Sequence, residues 1–173
     1  MSLIWLLKQC SRIPRREGQG MFRGNQEYQL DDRNRVAIPA RYRDHFNAGA
    51  VLTPGLERCV AVYTVEGYEE RAAVLEQVAA ESEEGRKLRR AFFGNSFDVQ
   101  KDNQGRLLIP AKLMAYAGLQ AKSDVIIVGT KECLEIWDKA MWDSQEADFA
   151  GAFVDVVNRI GAMKNRAFNG QGE

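Results

Sequence analysis

An eleven-residue motif that occurs twice constrains the fold of this chain more than any other feature. The segment DNQGRLLIPAK at 102–112 matches DDRNRVAIPAR at 31–41, 71 positions earlier. Beyond the motif the match continues at an offset of 74, as if the second copy had gained three residues in a loop. The copies cover about 22–68 and 93–142, which indicates an internal repeat of one supersecondary unit. Identical positions are Asp31/Asp102, Arg35/Arg106, Ile38/Ile109, Pro39/Pro110 and Ala40/Ala111, and similar ones are Val36/Leu107 and Arg41/Lys112.

Each copy predicts the same order of elements: a strand, a turn, a second strand, a short helix and a hairpin. Pro39 and Pro110 end the second strand and suit the first turn of a helix. Gly55 and Gly129 are expected near the turns of the two hairpins. Four short strands bury little apolar surface alone, so we expect the copies to pack face to face as a pseudo-dimer.

The remaining segments predict helices and flexible ends. Residues 69–92 are charged, have helical apolar spacing and carry Ser82 as a candidate N-cap, so they predict a helical linker between modules at 25–68 and 96–142. A C-terminal helix is expected over 143–165 and a tail over 166–173. Residues 1–20 have no counterpart in the repeat. They are interpreted either as a disordered N-terminal extension or as the product of an upstream start codon.

Composition argues against a membrane protein, a metal site and an enzyme. The longest early apolar run, Leu3 to Leu7, is far shorter than the roughly 20 residues that span a bilayer. One histidine, His45, and three cysteines without a CxxC pair indicate reduced cytosolic thiols and no metal. No paired carboxylates, nucleophile–base pair or phosphate-binding loop is recognisable, so we expect no enzymatic activity and no cofactor. The cysteines are Cys10, Cys59 and Cys133, of which the last two begin apolar strands and are expected to be buried.

Charge is balanced overall but distributed unevenly. Residues 1–20 carry a net charge of +3, so the remainder carries −3. A body of this charge does not attract nucleic acid in bulk. DNA binding would therefore need a concentrated basic patch, multiplied by oligomerisation.

Three segments resemble the MraZ family of bacterial transcriptional regulators: MFRG at 21–24, LDDRNRVAIPARYR at 30–43 and DNQGRLLIPAKL at 102–113. The resemblance covers about 21–165. It implies a mainly β fold with α-helices (α+β), in which two AbrB-like modules form a double-split β-barrel from swapped hairpins. It also implies sequence-specific binding to short direct repeats in the promoter of the division and cell-wall gene cluster, with repression of the operon that contains the regulator's own gene. Ring homo-oligomers and a cytoplasmic, nucleoid-associated location are further implications.

The repeated turns supply the candidate site. The expected DNA contacts are Arg33, Arg35, Arg41, Arg23 and Arg106, with Arg43 as a possible neighbour, and the expected turn residues are Asp31, Asn34, Asp102, Gly105, Pro39 and Pro110. The second turn has Gln104 in place of Arg33, which makes it electrostatically weaker. The family's first module usually reads Asp-x-Lys-Gly-Arg. Here Arg33 replaces the lysine, and Asn34 replaces the glycine as the non-glycine residue that best tolerates a positive φ.

Two alternatives stay open from the sequence. Each aspartate and arginine of a turn, Asp31 with Arg35 and Asp102 with Arg106, could form an internal pair that closes that turn instead of leaving the arginine for DNA. The whole chain could also be a non-DNA, antitoxin-like assembly module, because AbrB-like barrels serve that purpose too. Steep salt dependence of binding would favour DNA.

Overall fold

The computed structural model describes residues 22–76 and 80–147, together with 149, 155 and 157–159. The described architecture is mixed, with antiparallel strands and helices in the order that the repeat predicts. The strands are β1 (Phe22–Gln29), β2 (Arg35–Ala37), β3 (Ala50–Pro54), β4 (Val60–Thr64), β5 (Phe97–Val99), β6 (Arg106–Leu108), β7 (Asp124–Lys131) and β8 (Leu134–Asp138). The helical segments are 3₁₀ helices at Ala40–Phe46 and Phe93–Asn95, and the α-helices α1 (Val65–Glu76), α2 (Glu83–Phe92) and α3 (Ala111–Ala117).

The strands form two antiparallel sheets in which the repeats interleave. The larger sheet has the order β1-β7-β8-β4-β3-β5, and β2 pairs with β6 in a separate two-stranded sheet. The first strand of each repeat therefore pairs with the third strand of the other: β1 with β7, and β5 with β3. The two copies are thus interleaved, because the first strand of each adds to the hairpin of the other. Among the described residues the ladders stay open at β1 and β5 and close no barrel.

The core lies between the two sheets. Val36 of β2 and Leu107 of β6 are register partners, and each is only 1% exposed. Together with Val62, Ile127 and Ile136 of the larger sheet, they line a small internal void. The two-stranded sheet therefore buries one face against the larger sheet and turns its other face outward.

The prolines and the inserted loop lie where the repeat predicts them. Pro39 and Pro110 stand immediately before the 3₁₀ helix at Ala40–Phe46 and before α3, with φ of −48° and −57°. The three-residue gain of the second copy is found between its helix and its hairpin. Residues 118–123 make that connection, whereas 47–49 suffice in the first copy.

Gly129 lies near the β7–β8 turn, as predicted, but it has a role that the sequence did not predict. The β7–β8 turn lies at Glu132 and Cys133, so Gly129 is inside β7, where it pairs with Gly24 of β1. A Cβ built on Gly129 would collide with the backbone of Phe22 and Arg23. This glycine therefore permits the close approach of β1 and makes no turn. Gly55, by contrast, does stand at the β3–β4 turn.

The linker region contains two helices, α1 and α2. The Ser82 hydroxyl accepts a hydrogen bond from the Gly85 N–H at 2.9 Å and so caps α2. Tyr68 of α1 stacks on Phe92 of α2, with ring centroids 5.3 Å apart. This stacking holds the two helices against each other.

Several predicted segments lie wholly or mostly outside the described residues: the extension 1–20, the tail 166–173 and most of the C-terminal helix 143–165. Residues 139–147 are helical and belong to a second compact unit that begins at Lys139. In the first unit Cys59 and Cys133 are buried, and burial raises the pKa of both thiols.

Candidate nucleic-acid interface

Asp31 organises the first turn. Its Oδ1 accepts hydrogen bonds from the backbone N–H groups of Arg33 at 2.8 Å and Arg35 at 2.9 Å. Its Oδ2 accepts from Arg35 Nε at 2.7 Å. Asn34 adopts a φ of 59°, the left-handed conformation that the sequence predicts it to tolerate. An aspartate at the first position of the turn thus satisfies two backbone donors and one guanidinium.

The second turn repeats this geometry. Asp102 Oδ1 accepts from the N–H groups of Gln104 and Arg106, both at 2.9 Å. Asp102 Oδ2 accepts from Arg106 Nε at 2.8 Å and lies 2.7 Å from Arg106 Nη2. Gly105 has a φ of +75°, in the position of Asn34. Both internal Asp–Arg pairs are therefore present.

The two turns are also joined to each other. Arg35 Nη1 lies 3.5 Å from Asp102 Oδ2, and Arg106 Nη1 lies 3.3 Å from Asp31 Oδ2. Backbone bonds reinforce this link: Ile38 N–H donates to the Gly105 carbonyl, and Ile109 N–H donates to the Asn34 carbonyl, each at 2.9 Å. We call the four side chains of Asp31, Arg35, Asp102 and Arg106 the Asp–Arg cluster.

The cluster lowers the pKa of both carboxyl groups. Desolvation alone would raise the pKa of Asp31, but the N–H groups of Arg35 and Arg33 and the Arg35 guanidinium lower it overall. Hydrogen bonds from the Arg106 side chain and backbone hold the pKa of Asp102 at about 2. Both aspartates are therefore charged at neutral pH, and the four groups of the cluster carry no net charge.

Both arginines of the cluster lie on the outer face of the two-stranded sheet. Arg35 is the register partner of Leu108, and Arg106 is the register partner of Ala37. Partners in an antiparallel pair share a face, and the intervening Val36–Leu107 pair is buried on the opposite one. The side chains of the four cluster residues are 24–30% exposed, so solvent reaches the cluster.

Arg23, Arg41 and Arg33 lie outside the cluster. Arg41 Nη2 donates to the Arg23 carbonyl at 2.7 Å, and its guanidinium carbon lies 4.7 Å from the centroid of the Tyr42 ring. The Tyr42 hydroxyl accepts from the Arg23 N–H at 2.9 Å and lies 3.0 Å from the Arg23 carbonyl. Arg33 is exposed at the tip of the first turn, where its side chain has no hydrogen-bond or ion-pair partner among the described residues.

Sequence reasoning missed two features of this region. The bonds between the turns were not predicted, although the occurrence of an aspartate and an arginine in both copies was a signal for them. The second is Arg43, which the sequence left as a possible neighbour of the first turn. Its side chain instead packs on Gly105 of the second turn, with Cδ and Nε each 2.7 Å from where a Cβ would stand.

Other kinds of site are not found in the described part of the chain. Within it, no group of three or more histidine, cysteine, aspartate or glutamate residues is arranged to hold a metal ion. No helix of the described residues is long and apolar enough to span a membrane.

The fold and the cluster define a protein of two interleaved β modules whose charged turns are joined on one surface by ion pairs and backbone hydrogen bonds. A family model described as "MraZ protein, putative antitoxin-like" matches residues 21–90 and 92–159. The chain belongs to the MraZ family.

Curated relatives span almost the same length. The "Transcriptional regulator MraZ" of Thermobifida fusca is 36% identical over 140 residues, which are 81% of this chain and 96% of that protein. The protein of the same name from Thermomicrobium roseum is 34% identical over 143 residues, 83% of this chain and 99% of the relative. That from Dehalococcoides mccartyi is 39% identical over 127 residues, 73% of this chain and 88% of the relative.

Proposed function

We propose that this protein regulates transcription by binding double-stranded DNA, with the outer face of the β2–β6 sheet and its two turns as the contact surface. The observation that carries the proposal is the joining of the turns through the Asp–Arg cluster, with separations of 3.3 and 3.5 Å between the repeats. A surface held by bonds between both repeats presents fixed donors to a duplex, at little entropic cost on binding. The names of the curated relatives support the same function.

The arginines divide into two kinds in this proposal. Arg33, Arg41 and Arg23 lie outside the neutral cluster and supply positive charge for phosphates. Arg35 and Arg106 hold the turns in place. We also assign a DNA contact to Arg35. Its Nε and Nη1 face carboxylates, but its Nη2 has no acceptor among the described residues and is available to donate to DNA.

Arg106 is the weaker candidate for a DNA contact. All three of its guanidinium nitrogens already face carboxylates: Nε and Nη2 face Asp102, and Nη1 faces Asp31. Any bond from Arg106 to DNA would have to share or replace one of these bonds. This asymmetry agrees with the expectation that the first turn contributes more than the second.

The genomic target follows from the family resemblance. We propose that the sites are short direct repeats upstream of the gene for this protein, in a division and cell-wall gene cluster, and that binding represses that cluster. We further propose that the protein acts as a ring-shaped homo-oligomer, associated with the nucleoid in the cytoplasm.

A footprint on the DNA immediately upstream of this protein's own gene tests the proposal. We expect protection of a series of short repeats. Arg35→Ala should weaken specific binding by ~1–3 kcal/mol per module if the contact is to a base edge. Arg106→Ala should weaken it less. Both variants must be compared at temperatures where circular dichroism shows them folded, because both lose bonds in the cluster. Absence of any protected region with wild-type protein would contradict the proposal.

A second candidate function is an antitoxin-like protein-binding module. The description of the matching family model favours it. So does an apolar groove of about 440 Å³ between the β3–β4 turn, α2 and α3, beside Leu56, which is 94% exposed. Salt separates the two functions, because binding through several phosphates weakens steeply with salt, whereas an apolar protein interface does not.

A further inference from the structure

Arg43 belongs to the first repeat but lies against the turn of the second. It follows β2 within the 3₁₀ helix Ala40–Phe46, and β2 pairs with β6, which begins directly after the second turn. This pairing brings the helix of one repeat beside the turn of the other. The stem of Arg43 then packs on Gly105, which has no side chain to occupy that space.

The position has no basic equivalent in the other repeat. At the repeat offset of 71, the counterpart of Arg43 is Met114, which is buried and 6% exposed. The residue at the tip of each turn also differs: the first turn has Arg33, and the second has the uncharged Gln104. Arg43 therefore adds a positive charge beside the second turn, whose own basic residues, Lys101 and Arg106, flank an uncharged tip.

One hydrogen bond holds the guanidinium of Arg43 in place, and its other nitrogens remain available as donors. Its Nε donates to the Ile38 carbonyl at 3.0 Å, which anchors the group. Among the described residues, neither Nη1 nor Nη2 has a hydrogen-bond or ion-pair partner. The charge also acts on its surroundings: burial raises the pKa of Tyr28, and the charges of Arg43 and Arg41 oppose that rise. An anchored arginine with two spare nitrogens is suited to bind a phosphate.

We propose that Arg43 is the phosphate-binding residue of the second turn, so that the two turns contact the DNA backbone through Arg33 and Arg43, both from the first repeat. This inference rests on the proposed DNA-binding function and adds a residue to its contact surface. A phosphate contact fixes the register of the protein on the duplex and carries no sequence information of its own. The second turn then contributes to affinity despite its uncharged tip.

The test measures binding at several salt concentrations to two duplexes of equal length, one carrying the DNA upstream of this protein's own gene and one with that sequence scrambled. Arg43→Ala should weaken binding to both duplexes by the same factor. It should also reduce the slope of log affinity against log salt by about one per bound chain. Arg43→Lys should keep most of that slope, because the positive charge is retained.

Arg58→Ala is the matched control, because Arg58 is an exposed arginine in the β3–β4 turn and its removal changes the net charge equally. If Arg43→Ala fails to fold, Arg43→Gln keeps much of the stem that covers Gly105 and removes only the charge. Wild-type binding combined with an unchanged salt slope in Arg43→Gln would overturn the assignment of Arg43 alone. If wild-type protein shows no salt-dependent binding to either duplex, the proposed function itself fails.

Discussion

At the scale of single residues, the Asp–Arg cluster explains why a charged turn precedes the apolar strand in both copies. Each aspartate satisfies two backbone donors of its own turn, and its Oδ2 faces one arginine from each repeat. Removing either aspartate would therefore leave hydrogen-bond donors of both repeats without an acceptor. The sequence left the pair within each turn open as an alternative to DNA contact, and it did not predict the bonds between turns, because those depend on β2 meeting β6.

The cluster makes stability depend on pH in the acid range. The pKa of Asp102 is about 2 in the folded protein, and that of Asp31 is also lowered. A lowered folded-state pKa contributes stability above the unfolded-state value of about 4, and this contribution is lost as pH falls towards the folded-state value. We expect the melting temperature to fall between about pH 4 and pH 2, and Asp102→Asn to flatten that fall.

Asp98→Asn, at an exposed position of β5, is the control for this measurement and should keep the wild-type pH profile. Thermal unfolding followed by circular dichroism at closely spaced pH values is sufficient. An Asp102→Asn profile parallel to wild type throughout that window would show that the cluster does not contribute to acid stability.

Asn34 provides a second residue-scale prediction. Its φ of 59° costs an ordinary side chain roughly 1–2 kcal/mol, and asparagine and glycine pay less. Asn34→Gly should therefore change the free energy of unfolding by less than ~0.5 kcal/mol, whereas Asn34→Ala should lower it by ~1 kcal/mol. Gly105→Ala should cost more than Asn34→Ala, because its Cβ would also meet Arg43. Urea unfolding measures all three, and equal stability of Asn34→Ala and Asn34→Gly would argue against backbone strain at this turn.

At the scale of elements, the sequence predicted the features that depend on neighbouring residues, such as helix starts and caps. The prolines mark the starts of the short helices, and Ser82 caps α2 because a hydroxyl there reaches an N–H that the helix leaves unpaired. Gly129 does lie near the β7–β8 turn, as predicted, but the need for a glycine there was not predicted. A glycine is needed at this position because β1, a strand about 100 residues away in sequence, approaches it closely. No local pattern contains that information.

Gly129→Ala tests the account of this glycine. The added Cβ would overlap the backbone of Phe22 and Arg23, so β1 must move away from β7. Overpacking of this kind should lower the free energy of unfolding by ~1–3 kcal/mol or more. It should also speed amide hydrogen exchange along Phe22–Gln29, because β7 is the one strand that pairs with those residues in the described part of the chain. Gly94→Ala, where a Cβ meets nothing within 4 Å, is the control and should be close to neutral.

At the scale of the whole molecule, the repeat predicted two equivalent units, but their interleaving was not predicted from the residues alone. Periodicity shows which residues form strands and which face is apolar, and it leaves open which strand pairs with which. The two exchanged pairings are also unequal: β1 and β7 share eight residue pairs, whereas β3 and β5 share three. The candidate site depends on the pairing of β2 with β6. That pairing brings the two turns together and places Arg43 of the first repeat beside the turn of the second.

The last prediction concerns assembly. Residues 21–173 carry a net charge of −3, and the Asp–Arg cluster is neutral, so one copy has little excess positive charge with which to attract DNA. Several copies on adjacent DNA repeats would combine weak contacts through a high effective concentration. We therefore expect light scattering to report a homo-oligomer at micromolar concentration. Affinity for a duplex with several upstream repeats should exceed that for a single repeat by ~100-fold or more. A duplex of equal length in which all repeats but one are scrambled is the control. A monomer that binds both duplexes equally would show that each copy acts alone, and the basic residues of one contact surface would then have to account for the whole affinity.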